Sequence, residues 1–513
     1  MATDPIDVSR KWDVIVVGSG MGGATVAQAL ALMGLEVLVL EKGRRVSVAN
    51  GDEQGVTPAE RIQRGWWPMP VSEMRSDGTY ARHFAPLGCA VGGSTIHYAA
   101  ALERMAATDF QQPGSATRKL PAWPVAYEEF LPYYAAAEKL YHVQLSAEAA
   151  MQRMSEWDRA LMERMRRNGL QPEPLHVAIR YDEQCEECIG RVCLRKCKAD
   201  AASACLDEAL RLENCRLLQG CDVQSVEATA ASVQGVRAVC DGKEVLLRGR
   251  IVVLSAGAFR SPLILLRSVN ADWPAGLANR SDQVGRNLTC HTTDLFALWA
   301  PHRYGRRGKQ KKAISVRDFY LVEGERLGYV QSLGIDIGRG AIALHLKNVM
   351  RGHGVKSERL LSLLAKVPSH LGAAFLGNAG LFAAMTEDDP DANNRVTIDP
   401  EQPDGTRFSY TITADLRRRA DALRDKFAAA IRPWRLARLS TSLAMNYGHP
   451  CGTCRFGEDP GSSVLDRDCR AHGLSNLFVV DASFMPRSGA INPSLTIAAN
   501  ALRVAPRIAA ALG

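Results

Sequence analysis

Four cysteines lie close together in the middle of this 513-residue chain, in the order C-x2-C-x4-C-x3-C. They are Cys185, Cys188, Cys193 and Cys197. Thiolates at such short spacing can hold zinc or an iron–sulfur cluster, can pair as disulfides, or can stay reduced. Zinc sites usually take two separated pairs of ligands, and this run does not divide in that way. Disulfides are typical of exported proteins, whereas the polar N-terminus shows no secretory signal.

A glycine-rich turn near the N-terminus predicts a dinucleotide site. Gly18, Gly20 and Gly23 form G-x-G-x-x-G directly after the apolar strand Val14–Val17. The first glycine of this motif makes a tight turn, the second lets the backbone approach a pyrophosphate, and the third lets helix and strand pack closely. Glu41 ends the next apolar strand, where a carboxylate can accept hydrogen bonds from a ribose diol. The motif does not choose between FAD and NAD.

The composition is that of an ordinary globular protein, with 46% hydrophobic and 23% charged residues. The length predicts roughly two to four structural units. Part of the net charge of +8 lies in the run His302–Lys312, which predicts a solvated loop, with a docking surface for an anionic partner as the alternative. We see no nucleic-acid-binding motif and expect no nucleic-acid partner. The weakly polar stretch Leu371–Met385 is too short to span a bilayer. We expect a cytoplasmic protein, with co-export by a partner subunit as the alternative.

Three further segments resemble the glucose–methanol–choline (GMC) oxidoreductases. They are Gly88–Arg104, then Val252–Ser268 followed by "VGRNL" at Val284–Leu288, and the C-terminal stretch from His449. With the glycine motif they follow the family's order along nearly the whole chain. The resemblance implies FAD and an α/β fold: a Rossmann-like FAD-binding domain built from discontinuous segments, with an inserted α+β substrate domain whose antiparallel sheet is covered by helices. The implied domains are residues 1–105, 165–295 and 435–513 for FAD and residues 106–164 and 296–434 for the substrate.

The resemblance also implies roles for individual residues near the cofactor. Six positions match the family's cofactor-contacting motifs: Gly92, Gly93, Ser94, Val223, Asp481 and Ala482. The first three would line the flavin, the backbone of the valine would hold the adenine, and the last two would lie at the pyrophosphate and the flavin ring. His97 matches members of the family that bond a histidine covalently to the flavin. Other members hold FAD non-covalently, so a link and simple packing of His97 are both open.

Oxidation of an alcohol by a flavin needs a base for the hydroxyl proton and a carbon that presents its hydride to flavin N5. Histidine suits the first task because its pKa lies near working pH, and an asparagine amide can orient the oxygen without taking the proton. His449 in "HPCGTC" and Asn492 in "INPSLT" occupy the family's positions for this pair. The implied reaction is FAD-dependent oxidation of an alcohol to a carbonyl.

The C-terminal segments, Ser462–Ser483 above all, are most similar to bacterial FAD-dependent sugar and polyol dehydrogenases. We therefore expect a small-molecule alcohol substrate with a sugar-like, polyol or glycoside hydroxyl. The electron acceptor would be oxygen, a quinone or a redox partner protein. The alternatives are oxidation of a hydrophobic alcohol or sterol, a non-redox lyase on the same fold, and an electron-transfer or scaffold subunit without an alcohol site.

The cysteine run has a more specific interpretation within this resemblance. Bacterial FAD-dependent glucose dehydrogenases have cysteines with the C-x4-C-x3-C spacing of Cys188, Cys193 and Cys197, which hold a three-iron cluster. Two departures stand against that interpretation, because Lys198 stands where those enzymes have proline and Cys185 is spaced differently. An iron–sulfur cluster, zinc and reduced structural thiols all stay open.

Overall fold

The computed structural model describes most of the chain. The described residues are 10–46, 58–75, 77–111, 120–301, 312–335, 342–343, 346–347, 350, 355, 357–377, 379–402, 405–440 and 443–513. The basic run His302–Lys312 lies outside the described residues except for Lys312 itself. Within the described ranges, no helix is both long and apolar enough to cross a membrane.

Helices and strands alternate through the first third of the chain, and most of the strands follow later. The described helices are α1 (Met21–Leu32), α2 (Pro58–Gln63), α3 (Ala107–Phe110), α4 (Tyr127–Leu140), α5 (Ala147–Arg153), α6 (Glu156–Arg167), α7 (Asp207–Ala209), α8 (Arg260–Arg267), α9 (Glu358–Leu376), α10 (Ala414–Ala430) and α11 (Ser494–Ala510). The described strands are β1 (Lys11–Val17), β2 (Val37–Glu41), β3 (Pro70–Met74), β4 (Tyr80–Phe84), β5 (Glu173–Pro174), β6 (Cys215–Gln219), β7 (Cys221–Ala228), β8 (Val233–Cys240), β9 (Lys243–Leu254), β10 (Thr292–Trp299), β11 (Ile314–Val316), β12 (Tyr329–Ser332), β13 (Gly380–Thr386), β14 (Arg395–Ile398), β15 (Thr406–Ser409), β16 (Arg435–Arg438), β17 (Ala444–Met445) and β18 (Leu477–Val479).

The first sheet has the order β6-β2-β1-β9-β8-β7, with β18 also beside β9. Strands β6, β2, β1, β9 and β18 are parallel, and β7 and β8 are antiparallel additions. The central strands are continuous apolar runs because parallel strands are covered on both faces. Strands from both ends of the chain meet here, since β18 precedes the C-terminal helix α11, which packs against α1. This confirms the expected α/β fold with a Rossmann-like domain of discontinuous segments.

The second sheet is antiparallel and has the order β16-β10-β13-β12-β11-β5, with β17 also beside β10. Helices α6 and α10 cover one face, where Trp157, Phe296, Phe382 and Phe427 share one core. Strand residues alternate between faces, so the neighbours of these core residues point to the opposite face, which we call the inner face. This is the antiparallel, helix-covered sheet that the sequence predicts.

A third sheet, β14-β15-β3-β4, joins distant parts of the chain. Its strands β3 and β4 come from a range predicted to bind FAD, whereas β14 and β15 come from the range predicted for the substrate domain. Strands β5 and β17, which belong to the second sheet, also fall within ranges predicted for FAD binding. The division of the chain into two domains therefore stays a prediction.

Candidate active site

A cleft with about 1680 Å³ of open space lies at the carboxyl ends of the parallel strands β1, β2 and β9. Open α/β sheets bind their ligands at this edge. Nine residues singled out from the sequence line the cleft: Gly18, Gly20, Glu41, Gly93, Ser94, Val223, His449, Asp481 and Ala482. Four others, Gly23, Gly92, His97 and Asn492, are not among the lining residues. The fold thus gathers residues from both ends of the chain around one space.

The glycine turn leaves room for a ligand at one position and is closely packed at two others. A Cβ atom on Gly18 would lie 2.4 Å from the carbonyl oxygen of Ser255, and one on Gly23 would lie 1.9 Å from the carbonyl oxygen of Gly18. The space beside Gly20 is empty to 4 Å, although this residue precedes α1 and lines the cleft. An open space at a helix N-terminus fits a pyrophosphate, because free backbone N–H groups and the helix dipole favour an anion there.

Glu41 is fixed at the end of β2 by the loops around it. One carboxylate oxygen accepts hydrogen bonds from Ser19 N at 3.0 Å and Ser19 Oγ at 2.7 Å, and the other accepts from Gly43 N at 2.9 Å. Burial raises the pKa of this carboxyl, and the hydrogen bonds oppose the rise. Carboxylate oxygens can accept further hydrogen bonds. Glu41 therefore faces the cleft in a fixed orientation, as a ribose contact requires.

Asp481 ties two separated parts of the cleft wall together. One of its oxygens accepts a hydrogen bond from Gly257 N at 2.9 Å and another from the hydroxyl of Ser261. Its other oxygen accepts from Ser483 N at 2.9 Å, which caps the short helix Ala482–Phe484. Asp481 thus holds the loop after β9 against the segment after β18.

Two histidines face each other where the second sheet meets the cleft. Thr289 and Cys451 form an antiparallel bridge, with N···O distances of 3.1 and 2.8 Å between their backbones. On the other side, the backbone N–H of Asn446 donates to the carbonyl oxygen of His291 at 2.7 Å, and the chain turns between Asn446 and His449. This turn brings His449 beside His291, and their Nδ1 atoms are 3.0 Å apart. His291 is fully buried, and His449 reaches the cleft.

The hydrogen bonds around these histidines determine which nitrogen of His449 is free. His291 Nε2 lies 3.2 Å from the carbonyl oxygen of Ser488, which can only accept, so this nitrogen carries a proton. Burial lowers the pKa of His291, so its ring is neutral and its Nδ1 accepts. His449 Nδ1 therefore donates to His291, and the lone pair of His449 Nε2 points away from that contact. Asn446 Nδ2 lies 3.3 Å from the same Nδ1 atom of His449 and donates to Thr293 Oγ1 at 3.2 Å. Asn492 Nδ2 lies 3.5 Å from this Nε2 atom of His449.

Comparisons with known proteins agree along the whole chain. Two family models, both described as GMC oxidoreductase, match residues 12–293 and residues 390–501. The chain belongs to the GMC oxidoreductase family. It is therefore a FAD-dependent oxidoreductase of the GMC type, as its sequence predicts.

Individual relatives of this GMC oxidoreductase are distant but cover its full length. It is 28% identical to 6'''-hydroxyparomomycin C oxidase of Streptomyces lividus, over 99% of this chain and 93% of that protein. It is 27% identical to 2-methyl-1,2-propanediol dehydrogenase of Mycolicibacterium austroafricanum, over 96% and 94%. The crystal structure of pyridoxine 4-oxidase from Mesorbium loti has a TM-score of 0.67 at 22% identity, over 98% of this chain and 99% of that one. The last comparison supports the fold.

The loop of this GMC oxidoreductase that carries Asn492 is held from several sides. The Arg487 guanidinium donates to Glu387 at 3.0 and 3.3 Å, and both side chains are buried. The backbone N–H of Ala490 donates to the hydroxyl of Tyr320 at 3.1 Å. Helix α11 begins at Ser494, directly after this loop. These contacts fix the amide of Asn492 beside the histidine pair.

Two residues near the histidine pair were not singled out from the sequence. His291 lies three residues after the family-like segment "VGRNL", and its role depends on the pairing with His449. Lys312 belongs to a run predicted to be solvated, yet only 3% of its surface is exposed. The prediction is therefore wrong for this residue. Burial lowers the pKa of Lys312 to about 7, and the charge of Glu103 opposes that change.

His449 is held in its neutral form by its surroundings. Burial is the main cause that lowers its pKa well below the ordinary value, and electrostatic interactions with His291 and with Lys312 lower it further. A neutral imidazole with a free Nε2 lone pair at a cleft wall can accept a proton near neutral pH. The adjacent amide of Asn492 can donate to the oxygen that gives up this proton.

His97 lies at the end of the short helix Gly93–His97, behind the cleft wall. Its ring packs against Trp66, with ring centroids 5.1 Å apart. Both ring nitrogens are buried without a hydrogen-bond partner. Burial, with the charges of Arg61 and Lys198, lowers its pKa to about 3, so the ring is neutral.

The cysteine run forms a cluster next to the helix that carries His97. Cys188, Cys193 and Cys197 are buried side by side, with Cys185 packed against them. The Cys188 thiol donates to the sulfur of Cys193, and this hydrogen bond lowers the pKa of Cys193 to about 5. Among the described residues, which include all four cysteines, no group of three or more His, Cys, Asp or Glu side chains is arranged to hold a metal ion. The side chains present therefore do not fit a preformed iron–sulfur or zinc site.

Lys198 joins this cluster to the cofactor side of the protein. Its backbone N–H lies 3.4 Å from Cys193 Sγ. Its buried ammonium donates to the carbonyl oxygens of Ile96 at 3.1 Å, Tyr98 at 3.2 Å and Arg191 at 2.6 Å. The charge is thus used to hold backbone carbonyls beside His97. Elsewhere, a disulfide that the sequence did not predict joins Cys221 and Cys240 across β7 and β8.

Proposed function

We propose that this protein oxidises an alcohol hydroxyl of a sugar-like, polyol or glycoside molecule to a carbonyl, with His449 as the base. The observation that carries the proposal is the position of His449, which lines the cleft and whose Nε2 atom lies 3.5 Å from the amide nitrogen of Asn492. Two relatives, a hydroxyparomomycin oxidase and a propanediol dehydrogenase, agree by name with a substrate that carries more than one hydroxyl group.

The cofactor would occupy the cleft along the carboxyl ends of β1, β2 and β9. The open space beside Gly20 would take the pyrophosphate, Glu41 the ribose and the backbone of Val223 the adenine. Gly93 and Ser94 would line the flavin ring. When bound, FAD supplies the acceptor for the hydride, at flavin N5.

The protein side of the reaction follows from the ordered hydrogen bonds at the histidine pair. The substrate hydroxyl would lie between His449 Nε2 and Asn492 Nδ2, which are close enough to contact one oxygen atom together. His449 takes the hydroxyl proton, and the amide of Asn492 donates to the oxygen that is left. His291 keeps the accepting nitrogen free by receiving the other N–H of His449. Its own N–H remains on the carbonyl oxygen of Ser488.

Polar groups on the inner face of the second sheet favour a polyhydroxylated substrate over a sterol. Gln331 Oε1 is buried without a hydrogen-bond partner. Ser315 pairs with Gln331 across β11 and β12, and Tyr329 lies two residues away on the same strand face. On the same face, Met385 Sδ lies 3.7 Å from Gln331 Nε2, and Thr293 pairs with Met385. We propose that the substrate site extends from the cleft to this face, where an apolar substrate would leave these buried polar groups unpaired at a cost in free energy.

A substrate panel tests this proposal. Sugars, linear polyols, short diols and a sterol are offered to the FAD-loaded protein with an artificial electron acceptor, and dye reduction is followed. We expect the hydroxyl-rich compounds to give the highest kcat/KM. A sterol with a higher kcat/KM than every polyol and sugar would contradict the proposal that the inner face favours a polyhydroxylated substrate.

The pH dependence of kcat/KM is expected to show the charge of Lys312. His449 works when unprotonated, so activity falls as the pH drops through its pKa, and the lowered pKa keeps the protein active below the range of an ordinary histidine. Lys312 is charged below its own pKa of about 7. Removing this charge by Lys312→Met raises the pKa of His449, so the acid limb moves to higher pH. The exposed Lys426→Met is the control, and an unchanged acid limb in Lys312→Met would count against this coupling.

We propose a covalent link between His97 and the flavin, supported by a neutral ring whose nitrogens have no other partner. Acid-precipitated protein should then stay yellow, and flavin fluorescence should migrate with the polypeptide in a denaturing gel. His97→Ala should release its FAD on precipitation. His83→Ala is the matched control, because His83 Nε2 is also buried without a partner. A colourless pellet from the unmodified protein would rule out the link.

We propose that the cysteine cluster holds reduced thiols, because these described side chains are not arranged as metal ligands. Electrons would then leave the flavin without passing through a metal cluster. Oxygen or a soluble quinone is then the expected electron acceptor. Protein purified without oxygen and replete with FAD should contain neither iron nor acid-labile sulfide. About three iron atoms per chain, with the matching sulfide, would overturn this assignment and restore the iron–sulfur hypothesis.

A further inference from the structure

An apolar stripe runs along the solvent-facing side of α9. Six of its large apolar side chains are 45–69% exposed: Leu360, Leu363, Leu364, Val367, Leu371 and Phe375. Their spacing of three or four residues places them on one side of the helix, over about 22 Å of its length. We call this set the α9 stripe. Large apolar side chains that are exposed singly need no explanation, whereas a continuous row of six indicates a binding surface.

The helix is attached to the protein by a different face. Leu361, Ala365 and Ser369 are buried, and they recur every four residues. At the C-terminal end, Trp299 Nε1 donates to the carbonyl oxygen of Phe375 at 3.1 Å, and the two rings lie 4.8 Å apart. The α9 stripe therefore ends beside a half-buried tryptophan. An indole at the border of an apolar surface is a side chain that suits the interface between lipid and water.

Positive charge accompanies the α9 stripe. At about 100° per residue, Arg359 and Lys366 fall within about 20° of one another, along one border of the stripe. Both are exposed. In the sequence, residues 337–386 contain six Arg or Lys residues and one acidic residue, Glu358. Among the described residues, Arg359 and Lys366 thus border the exposed apolar row.

We propose that α9 docks on the surface of an anionic lipid bilayer. The helix would lie in the plane of the surface, with the α9 stripe in the interfacial region and its basic border toward the lipid phosphates. Apolar side chains on one face and Lys or Arg beside them are the features by which helices bind membrane surfaces without crossing them. This placement goes beyond the oxidation of an alcohol and does not depend on it.

Charge favours a lipid surface over a second copy of this chain. In a two-fold dimer the same patch faces itself, so the basic border would approach another basic border. Like charges brought together in this way oppose association. An anionic bilayer instead gains attraction from each basic side chain near its surface. Dimer formation through the α9 stripe is therefore the competing outcome of the vesicle experiment below.

Vesicle sedimentation tests the proposal with the full-length, FAD-loaded protein. Vesicles of phosphatidylglycerol and phosphatidylcholine are compared with vesicles of phosphatidylcholine alone, at low and high salt. We expect binding to the anionic vesicles, weakened by salt because the attraction between exposed charges is screened. The double variant Leu363→Glu/Leu371→Glu should lower vesicle affinity by more than about tenfold, because two apolar contacts are replaced by charges that the lipid repels. Turnover of a soluble substrate with a soluble dye should stay unchanged.

A matched control uses exposed apolar side chains outside the α9 stripe. Leu32 and Val269 are 69% and 58% exposed, so Leu32→Glu/Val269→Glu adds the same charge at similar exposure. This control should bind anionic vesicles as the unmodified protein does. Absence of binding to anionic vesicles would overturn the proposal, as would binding that survives Leu363→Glu/Leu371→Glu. A dimer that this variant converts to a monomer, with no vesicle binding, would assign the α9 stripe to a second copy.

Discussion

Replacement of His449 by alanine is expected to lower turnover by roughly 10²–10⁴-fold, the usual contribution of a general base, while the purified protein stays yellow. His449 lines the cleft, and its free Nε2 atom is the acceptor fixed by the hydrogen bonds through His291 to the carbonyl oxygen of Ser488. The measurement is steady-state turnover with a saturating alcohol, together with the flavin absorbance of the same sample.

Two further variants separate the roles around this histidine. Asn492→Ala should retain flavin and lose less turnover, because its amide orients the substrate oxygen without taking the proton. His142 is an exposed histidine at the end of α4, and His142→Ala should keep full activity. Full turnover in His449→Ala would remove this residue as the base.

Replacement of Gly20 by alanine is expected to give a folded protein that does not retain FAD. A Cβ atom at this position meets no protein atom within 4 Å, so the apoprotein should unfold at the same temperature as the unmodified apoprotein. The added methyl group occupies the space that a pyrophosphate needs at the N-terminus of α1. Flavin content after purification and the Kd for added FAD measure the effect, and we expect at least about a tenfold rise in Kd.

Gly23→Ala is the informative contrast, because the expected damage is to the fold itself. Its Cβ atom would lie 1.9 Å from the carbonyl oxygen of Gly18, so α1 must move away from β1. Overpacking of this kind typically costs about 1–3 kcal/mol, so the apoprotein should melt earlier. Normal flavin content in Gly20→Ala would show that the pyrophosphate does not lie against this turn.

Local spacing was sufficient to predict that Gly18, Gly20 and Glu41 lie close together at the cleft, and their contacts with FAD stay a prediction. Gly18, Gly20 and Glu41 lie within one strand–helix–strand unit, so the sequence distance between them already determines their arrangement. The first sheet, which is built from separated segments, and the second, antiparallel sheet were both expected from the resemblance to the family. The residue pattern within single strands does not show which distant strands pair.

The contact between His291 and His449 could not be predicted from spacing, because the two residues lie 158 positions apart in the sequence. Lys312 was misjudged for a related reason. It ends a run of basic residues, and charge runs are usually solvated, but the strand β11 that begins at Ile314 carries Lys312 into the interior. The spacing of the cysteines resembles that of a cluster-binding run. Metal binding also depends on how the folded chain arranges the thiols in space, which spacing alone does not give.

Anaerobic flavin reduction tests the central claim most directly. The FAD-loaded protein is mixed under nitrogen with the best alcohol from the substrate panel, and flavin absorbance near about 450 nm is followed in a stopped-flow instrument. The account predicts bleaching of the flavin in a single turnover, formation of one carbonyl product per flavin, and bleaching roughly 10²–10⁴-fold slower in His449→Ala. A flavin that stays oxidised while the substrate is converted would contradict hydride transfer and would support a lyase on the same fold.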